Sequence, residues 1–455
     1  MSKKNYSVCS QHKIKNFNKT IEVDSDKSIS IRSFIIGSIS QGITEVSNVL
    51  ESEDVFSTIN CLRKLNVKIK KIGIRKYKVF GKGLGSFYAK KNTLIDFQNS
   101  GTCSRLLQSI IAVTPGLQVR LTGDASLRKR NMSKLINILN QFGAEFLPKN
   151  KTNLPYTVCG SDMPIGILYN AGVSSQLKSA AILSATNAHG TSTIIEDRRF
   201  ESRDHTENLL LKNLNVIKIK KNNRQSIIKI FGKKYLNSLK YKVFGDPSSA
   251  AFFAAICILN SKSKLKIKNI GLNPKRVGFF KLIKSCGAKI KFKNIKKNNI
   301  NELVGDLYVE SGSIRPIRAK PNIYPTMPDE YPILFIIAAL TPGRHVFLGI
   351  SDLSNKESSR AFEMKKILVQ IGIKCKLTKN KMIIFGKKNI KYNNLSINIR
   401  KNILDHRLYM SALCLSLVTG IKCNLKGFQT VETSAPSFLK IIKNNLNGKF
   451  KIKKN

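Results

Sequence analysis

The sequence predicts an α/β protein of two domains, each built from three similar units. Three observations lead there. An amphipathic helix pattern that ends in Gly or Asn and runs into a basic strand recurs six times along the 455 residues. A second helix type, apolar almost all round, recurs between those repeats. The chain is long enough for two or three domains, and its 42% apolar content allows full cores.

The amphipathic segments, in order, are CLRKLNVKIKKI, ILNQFGAEF, LLKNLNVIKIKK, LIKSCGAKIKF, ILVQIGIKCKL and IIKNNLNGKFKI. Their turn residues are Asn66, Gly143, Asn215, Gly287, Gly372 and Asn447, about 72 to 85 residues apart, the self-similarity expected of repeated structural units. Gly and Asn suit a helix C-terminus because both tolerate positive φ. The alternation that follows, as in Ala288-Lys-Ile-Lys-Phe, has the period of two of a half-buried strand. The apolar helices are GTCSRLLQSIIAV, SSQLKSAAILSAT, PSSAAFFAAICIL, DEYPILFIIAAL and DHRLYMSALCLSL. Helices of that kind belong in a core. Each opens on a small, capping or acidic residue, and helix N-termini attract anions.

The charge balance is extreme, with 79 Lys and Arg against 27 Asp and Glu and a formal net charge of +52. Nucleic acid, an acidic membrane surface or phosphorylated substrates are the partners such a balance attracts. The lysines recur as KKNNRQ, NIKKNNIN and KFKIKKN, between apolar segments and not along one helix face, so a lysine-rich solvated surface accounts for them as well. The nine cysteines are widely spaced without a C-x-x-C, and the five histidines form no metal-ligand spacing. Free thiols in a reducing cytoplasm are expected. The first residues lack the apolar stretch of a signal peptide. The longest apolar runs, ILFIIAALTPG and AAFFAAICILN, are too short to span a bilayer.

Several segments set charge beside apolar runs. DKSISIRSF carries Lys27, Ser28 and Arg32; QNSGTCSR carries Asn99, Gly101, Thr102 and Arg105; GDASLRKR ends in Arg130. VSSQLKSA supplies Ser174, Ser175 and Gln176, and ESRDHTE supplies Arg203, Asp204 and His205. MPDEYP holds Asp329 and Glu330, NKESSR holds Lys356, Glu357 and Arg360, and LDHR holds Asp405, His406 and Arg407. Cations outnumber carboxylates in this set, and neutral donors fill the rest. Such a group suits two small molecules bearing phosphate or carboxylate: Arg forks grip planar anions, Lys acts as a point charge, and hydroxyls and helix amides complete the shell. No G-x-x-x-x-G-K-[ST] loop is present, which argues against nucleotide hydrolysis.

Taken in order, DKSISIRSF, LESEDV, NSGTCSRL, GDASLRKR, SSQLKSA, SRDHTE, GDPSSAAF, DEYPIL, KESSR and DHR resemble the 3-phosphoshikimate 1-carboxyvinyltransferase (EPSP synthase) family, and most closely its class II bacterial branch. The resemblance covers almost the whole chain. It implies an inside-out α/β barrel fold of two domains, each of three βαβαββ repeats, with the active site in the interdomain cleft. One domain would be residues 1–24 with 245–455, the other 25–244.

By that resemblance Lys27, Ser28, Arg32, Ser174, Ser175, Gln176, Arg203, Asp329 and Lys356 would bind 3-phosphoshikimate. Lys27, Gly101, Arg130, Gln176, Arg360 and Arg407 would bind phosphoenolpyruvate. Asp329, Glu357 and Lys27 would be catalytic, with Asp329 the base toward the 5-hydroxyl. No metal or organic cofactor is implied, and a cytoplasmic monomer with no nucleic-acid or membrane partner is expected. The sister transferase acting on UDP-N-acetylglucosamine is the nearest rival, but GDASLRKRNM lacks the cysteine of its loop. A polyanion-binding protein on a decayed enzyme scaffold is the rival of another class. Against it stand the intact Lys27, Arg130, Asp329, Lys356, Glu357 and Arg407.

Departures from the family pattern cluster near these motifs. Asp24-Ser25 replaces a usual Pro-Gly, adding an acid beside an anion site. Asn131 replaces a proline, which would loosen the turn holding Arg130. Ser359 stands for an aspartate, and Ala435 for an aromatic residue.

Overall fold

The computed structural model of the chain describes residues 5–388, 395–399 and 403–454. Two compact units emerge: a flanking unit of Met1–Asp24, Gly245–Lys296 and Leu303–Asn455, and an inserted unit of Ser25–Phe244 with Lys297–Glu302. The short stretch Lys297–Glu302 thus lies apart from the sequence expectation, which kept all of 245–455 together. It is the tip of a hairpin whose strands, Lys289–Lys297 and Leu303–Glu310, pair in a sheet of the flanking unit.

The inserted unit holds three four-stranded sheets among its described residues. In spatial order the first is Lys240–Lys242, Ile43–Ser47, Lys76–Phe80 and Ile69–Gly73. The second is Thr93–Asp96, Gln118–Thr122, Tyr156–Cys159 and Glu145–Leu147. Leu168–Ala171, Thr191–Asp197, Gln225–Phe231 and Ile217–Lys221 make the third. Each begins with a parallel pair, then an antiparallel one. A parallel pair needs a crossover. In the second and third sheets the buried helices Gly101–Ile111 and Ser175–Asn187 supply it. In the first the buried helix Lys27–Ile39 leads into Ile43–Ser47, and Gly101–Ile111 packs on the other two helices.

The flanking unit repeats the pattern. Its sheets are Asn18–Ile21, Lys264–Gly271, Leu303–Glu310 and Lys289–Lys297; Arg318–Ala319, Gly343–Leu348, Lys381–Gly386 and Lys374–Thr378; and Ser396–Asn398, Lys422–Lys426, Tyr6–Ser10 and Lys451–Lys454. Again the first pair is parallel and the second antiparallel. Helices Pro247–Leu259, Tyr331–Ala339 and His406–Thr419 pack on one another at the centre. Their side chains form the middle of a continuous apolar core.

Helices therefore lie inside and half-exposed sheets outside. The strand Lys289–Lys297 shows why: the apolar Ile290 is buried, while Lys289 and Lys291 beside it are exposed. The six sheets are separate four-stranded layers, and no closed strand barrel forms among the described residues. Three repeats are completed by distant chain, and in the first of the flanking unit Ile21 pairs with Ile267. Val8 pairs with Leu425, so the N-terminal strand completes the last repeat. Tyr241 pairs with Val46, completing the first repeat of the inserted unit.

Five of the six expected turn residues have positive φ: Asn66, Gly143, Gly287, Gly372 and Asn447. Asn215 does not, because the helix before it, His205–Leu210, stops early and a further turn intervenes. All nine cysteines are free thiols. No helix among the described residues is long and apolar enough to cross a membrane.

Candidate active site

In the inserted unit the predicted cations gather around the starts of the buried helices. Asp26 caps Lys27–Ile39 by accepting the Ile29 N–H at 2.8 Å, which leaves Lys27 and Ser28 on the first turn. Lys27 Nζ meets Asp54 Oδ2 at 2.9 Å. Arg32 is buried one turn on. It donates from Nε to Thr206 Oγ1 at 2.9 Å, from Nη2 to Ser179 Oγ at 3.0 Å and from Nη1 to the Ser28 carbonyl at 3.1 Å.

Ser174 and Ser100 cap the other two helices through the N–H groups of Leu177 and Cys103. Ser175 and Gly101 are the first helical residues that follow. Gln176 ties the two helix starts together. Its Oε1 accepts from Arg105 Nη1 at 3.0 Å, and its Nε2 donates to Thr102 Oγ1 at 3.0 Å. Arg130 donates to Asn99 Oδ1 at 3.0 Å, and a Cβ on Gly101 would sit 2.5 Å from Arg130 Nη1. Glycine here lets a guanidinium lie against the helix N-terminus, where donors for a planar anion converge.

Behind this surface lies an ion cluster that the motif reading missed. Lys178 is fully buried, 2.9 Å from Glu196 and 2.8 Å from Glu207. Burial by itself lowers the Lys178 pKa, but the two carboxylates outweigh it and the pKa is raised. Glu196 also accepts the N–H and hydroxyl of Ser202 at 2.7 and 2.8 Å, fixing the chain next to the buried Arg203. The only sequence signal was a lysine in an otherwise apolar helix pattern.

The flanking unit carries the carboxylates. Arg360 is buried and meets three of them: Asp405 Oδ2 at 2.9 Å, Asp329 Oδ1 at 3.1 Å and Glu357 Oε2 at 2.5 Å. Burial opposes its charge, but the fields of Asp405, Glu357 and Asp329 prevail and hold its pKa well above the ordinary guanidinium value. Asp405 also caps His406–Thr419 through the Arg407 N–H at 3.1 Å, so one aspartate positions both arginines. Arg407 lies 5.6 Å over the Phe252 ring. Its buried Nε and Nη1 have no hydrogen-bond partner among the described residues. Buried donors without a partner are costly, so these two are open to a ligand or to water.

Asp329 is partly open to solvent. Its second oxygen faces Arg276 Nη1 at 3.9 Å, and Arg276 is held by Asp246 at 2.9 Å. Neither Arg276 nor Asp246 was among the predicted site residues, although Asp246 lies in the quoted GDPSSAAF motif. Lys356 pairs with Asp352 at 2.7 Å, and Tyr324 donates to that carboxylate at 2.9 Å.

Two departures have local partners. Asn131 Oδ1 accepts the Ser133 N–H at 2.7 Å, just before the helix Ser133–Gln141. The Asp24 carboxylate is buried, where it accepts the Ser437 N–H at 3.0 Å. Among the described residues no cluster of acidic, His and Cys side chains could hold a metal ion.

The helix-cored repeats, with cationic side chains at the helix starts of one unit and an arginine–carboxylate cluster in the other, have the α/β fold found in enolpyruvyl transferases. The enolpyruvyl transferase NikO of Streptomyces tendae shares this fold, with a TM-score of 0.76 over 99% of this chain and 100% of its own at 12% identity. The EPSP synthase of Acinetobacter baumannii matches at a TM-score of 0.81 and 29% identity, covering 98% of this chain and 100% of its own. The family model for EPSP synthase (3-phosphoshikimate 1-carboxyvinyltransferase) matches residues 11–442. Relatives named 3-phosphoshikimate 1-carboxyvinyltransferase are 35% identical in a Sulfurihydrogenibium species and 36% identical in Caldicellulosiruptor bescii, each over 94% of this chain and 96% of the relative. The chain belongs to the EPSP synthase family.

Proposed function

We propose that the chain transfers the 1-carboxyvinyl group of phosphoenolpyruvate to the 5-hydroxyl of 3-phosphoshikimate, releasing phosphate. Family membership supports the reaction. The structural observation that carries the site assignment is Arg407, buried with two donors open, beside the Arg360–Asp405–Asp329–Glu357 cluster.

In the proposed mechanism, Lys27, Ser28, Arg32, Ser174, Ser175, Gln176, Arg203 and Lys356 hold 3-phosphoshikimate. Lys27, Gly101, Arg130, Gln176, Arg360 and Arg407 hold phosphoenolpyruvate. A proton added to the methylene carbon makes C2 electrophilic, and the 5-hydroxyl attacks C2 as Asp329 takes its proton. The tetrahedral adduct then expels phosphate while the new methyl group gives back a proton, through Glu357 or Lys27. The fixed cations stabilise this multiply anionic path without reorganising. The reaction needs no metal or organic cofactor, and the protein works as a cytoplasmic monomer.

Phosphate release from purified protein, with each substrate alone and with both, tests the proposal beside Asp329→Ala. Release is expected only with both substrates, and to fall by about 10²- to 10⁴-fold in the variant, the range for loss of a general base. Release from phosphoenolpyruvate alone, or an unchanged rate in the variant, would overturn it.

A further inference from the structure

The helix His205–Leu210 has six residues, too few to hold itself together. It nonetheless positions much of the anion-binding set in the inserted unit. Thr206 accepts from Arg32 and donates to Ser179 Oγ at 2.8 Å, Glu207 meets Lys178, and Arg203 lies two residues before the helix. What fixes the helix from its other face is the tip Lys297–Glu302. Glu302 is fully buried and 97 positions away from His205 in sequence. Its Oε1 meets His205 Nδ1 at 2.8 Å and accepts from Asn208 Nδ2 at 3.0 Å, gripping the helix at two positions one turn apart.

The tip is shaped for that grip. Asn298 Oδ1 accepts the N–H groups of Ile300 and Glu302 at 3.1 and 3.0 Å, and the Asn298 N–H donates to the Glu302 carbonyl at 2.9 Å. Ile300 is wholly buried, and Asn301 donates to the Asn208 carbonyl at 3.2 Å. A buried carboxylate that accepts from two side chains of one short helix sets both its place and its rotation. It also fixes His205 Nδ1 as the donor nitrogen.

We propose that Glu302 is a positioning residue for 3-phosphoshikimate: through His205 and Asn208 it holds the short helix that orients Arg32 and Arg203. The inference rests on the functional reading above. A role confined to stability would lower folding free energy while leaving the two substrates' affinities in the same ratio. A positioning role strikes one substrate.

Calorimetric binding of 3-phosphoshikimate and steady-state kinetics with both substrates, on wild type, Glu302→Ala, Glu302→Gln and Asn208→Ala, separate the two. In Glu302→Ala the Kd and KM for 3-phosphoshikimate should rise by about tenfold or more while KM for phosphoenolpyruvate stays within about twofold. Glu302→Gln, which can still accept from Nδ1, should recover most of that loss. If Glu302→Ala fails to fold, the same split is expected, smaller, in Asn208→Ala. Unchanged 3-phosphoshikimate affinity in a folded variant, or equal rises in both KM values, would overturn the inference. Failure of the wild type to bind 3-phosphoshikimate would instead overturn the functional reading, and this inference with it.

Discussion

Single residues here are constrained by what they displace as much as by what they bind. Gly101 is the sharpest case, because a methyl group there would press on Arg130 Nη1 at 2.5 Å and Arg105 Nη1 at 3.0 Å. Both are ends of flexible side chains, so the protein should fold and the guanidinium should move instead. Gly101→Ala is therefore expected to keep its Tm within about 2 °C, a surface-sized effect. Its KM for phosphoenolpyruvate should rise about tenfold, as loss of one well-placed contact does. Steady-state kinetics beside a melting curve would check it. His345 is constrained by its proton. It is buried, with Nδ1 accepting the Ile317 N–H at 3.0 Å and Nε2 donating to the Thr341 carbonyl at 2.9 Å. Burial lowers its pKa from 6.5, partly offset by the bond to Thr341. With the folded pKa depressed, its contribution is complete above pH 6.5 and is lost as pH falls through the folded value. The unfolding free energy should decline from pH 7 to 5 with a slope of up to ~1.4 kcal/mol per pH unit from this one site, and His345→Asn should flatten that part of the curve. A slope identical in the variant would remove His345 as its source.

The repeats share a device at the level of elements that hydrophobic periodicity does not reveal. At the end of the last strand of four repeats a glycine lies against the end of the buried helix. A Cβ on Gly81, Gly160, Gly232 or Gly386 would fall 1.9, 2.1, 1.8 or 1.9 Å from the carbonyl oxygen of Ser40, Thr114, Ala188 or Thr341. The residue after Gly81, Gly160, Gly232 and Gly386 then donates its N–H into that helix, to Ser38, Ala112, Thr186 and Ala339. Glycine is needed for room between two backbones, which cannot yield as a side chain can. Gly232→Ala should therefore cost about 3 kcal/mol or more. Gly190→Ala, where φ is +79° but nothing lies within 4 Å, should cost only about 1 kcal/mol. Urea melts of the two variants would test the ordering. The contrast also marks what was legible. Turn glycines and asparagines showed in the sequence because they end a periodic pattern, and apolar helices because their composition is unmistakable. The packing glycines end strands with no local conformational demand, so nothing in the one-dimensional pattern distinguishes them. Glu302 and Arg276 were hidden for a related reason: each acts across a long sequence separation, Glu302 on His205 and Arg276 on Asp329.

On the scale of the whole chain, the charge that composition left open between a solvated surface and an anionic partner divides by depth. Acidic residues are few, 27 in all, and several are spent in the interior: Asp246 on Arg276, Glu196 and Glu207 on Lys178, Glu302 on His205, Asp405 on Arg360. The 79 basic residues mostly stay outside, as Lys289, Lys291, Lys296 and Lys297 do along one strand. The order of motifs and the buried caps were readable because each is local. This separation of signs was not, because it depends on which face each side chain takes. It has two opposed consequences. A surface near +52 repels itself, more strongly when folded than when the chain expands, so screening should stabilise the fold. The same field attracts small anions to the cationic helix starts, so screening should weaken substrate capture. The Debye length shrinks from about 30 Å at 0.01 M salt to about 10 Å at 0.1 M, which covers most of the distances over which surface lysines act. Raising NaCl through that range should lift Tm and, in the same buffers, raise KM for both substrates with kcat nearly constant. If the charge is instead neutralised by a bound polyanion carried through purification, added salt would release it, and Tm would fall. Melting curves and initial rates across the salt series, with the absorbance ratio recorded to report any bound nucleic acid, decide between a bare cationic surface and an occupied one.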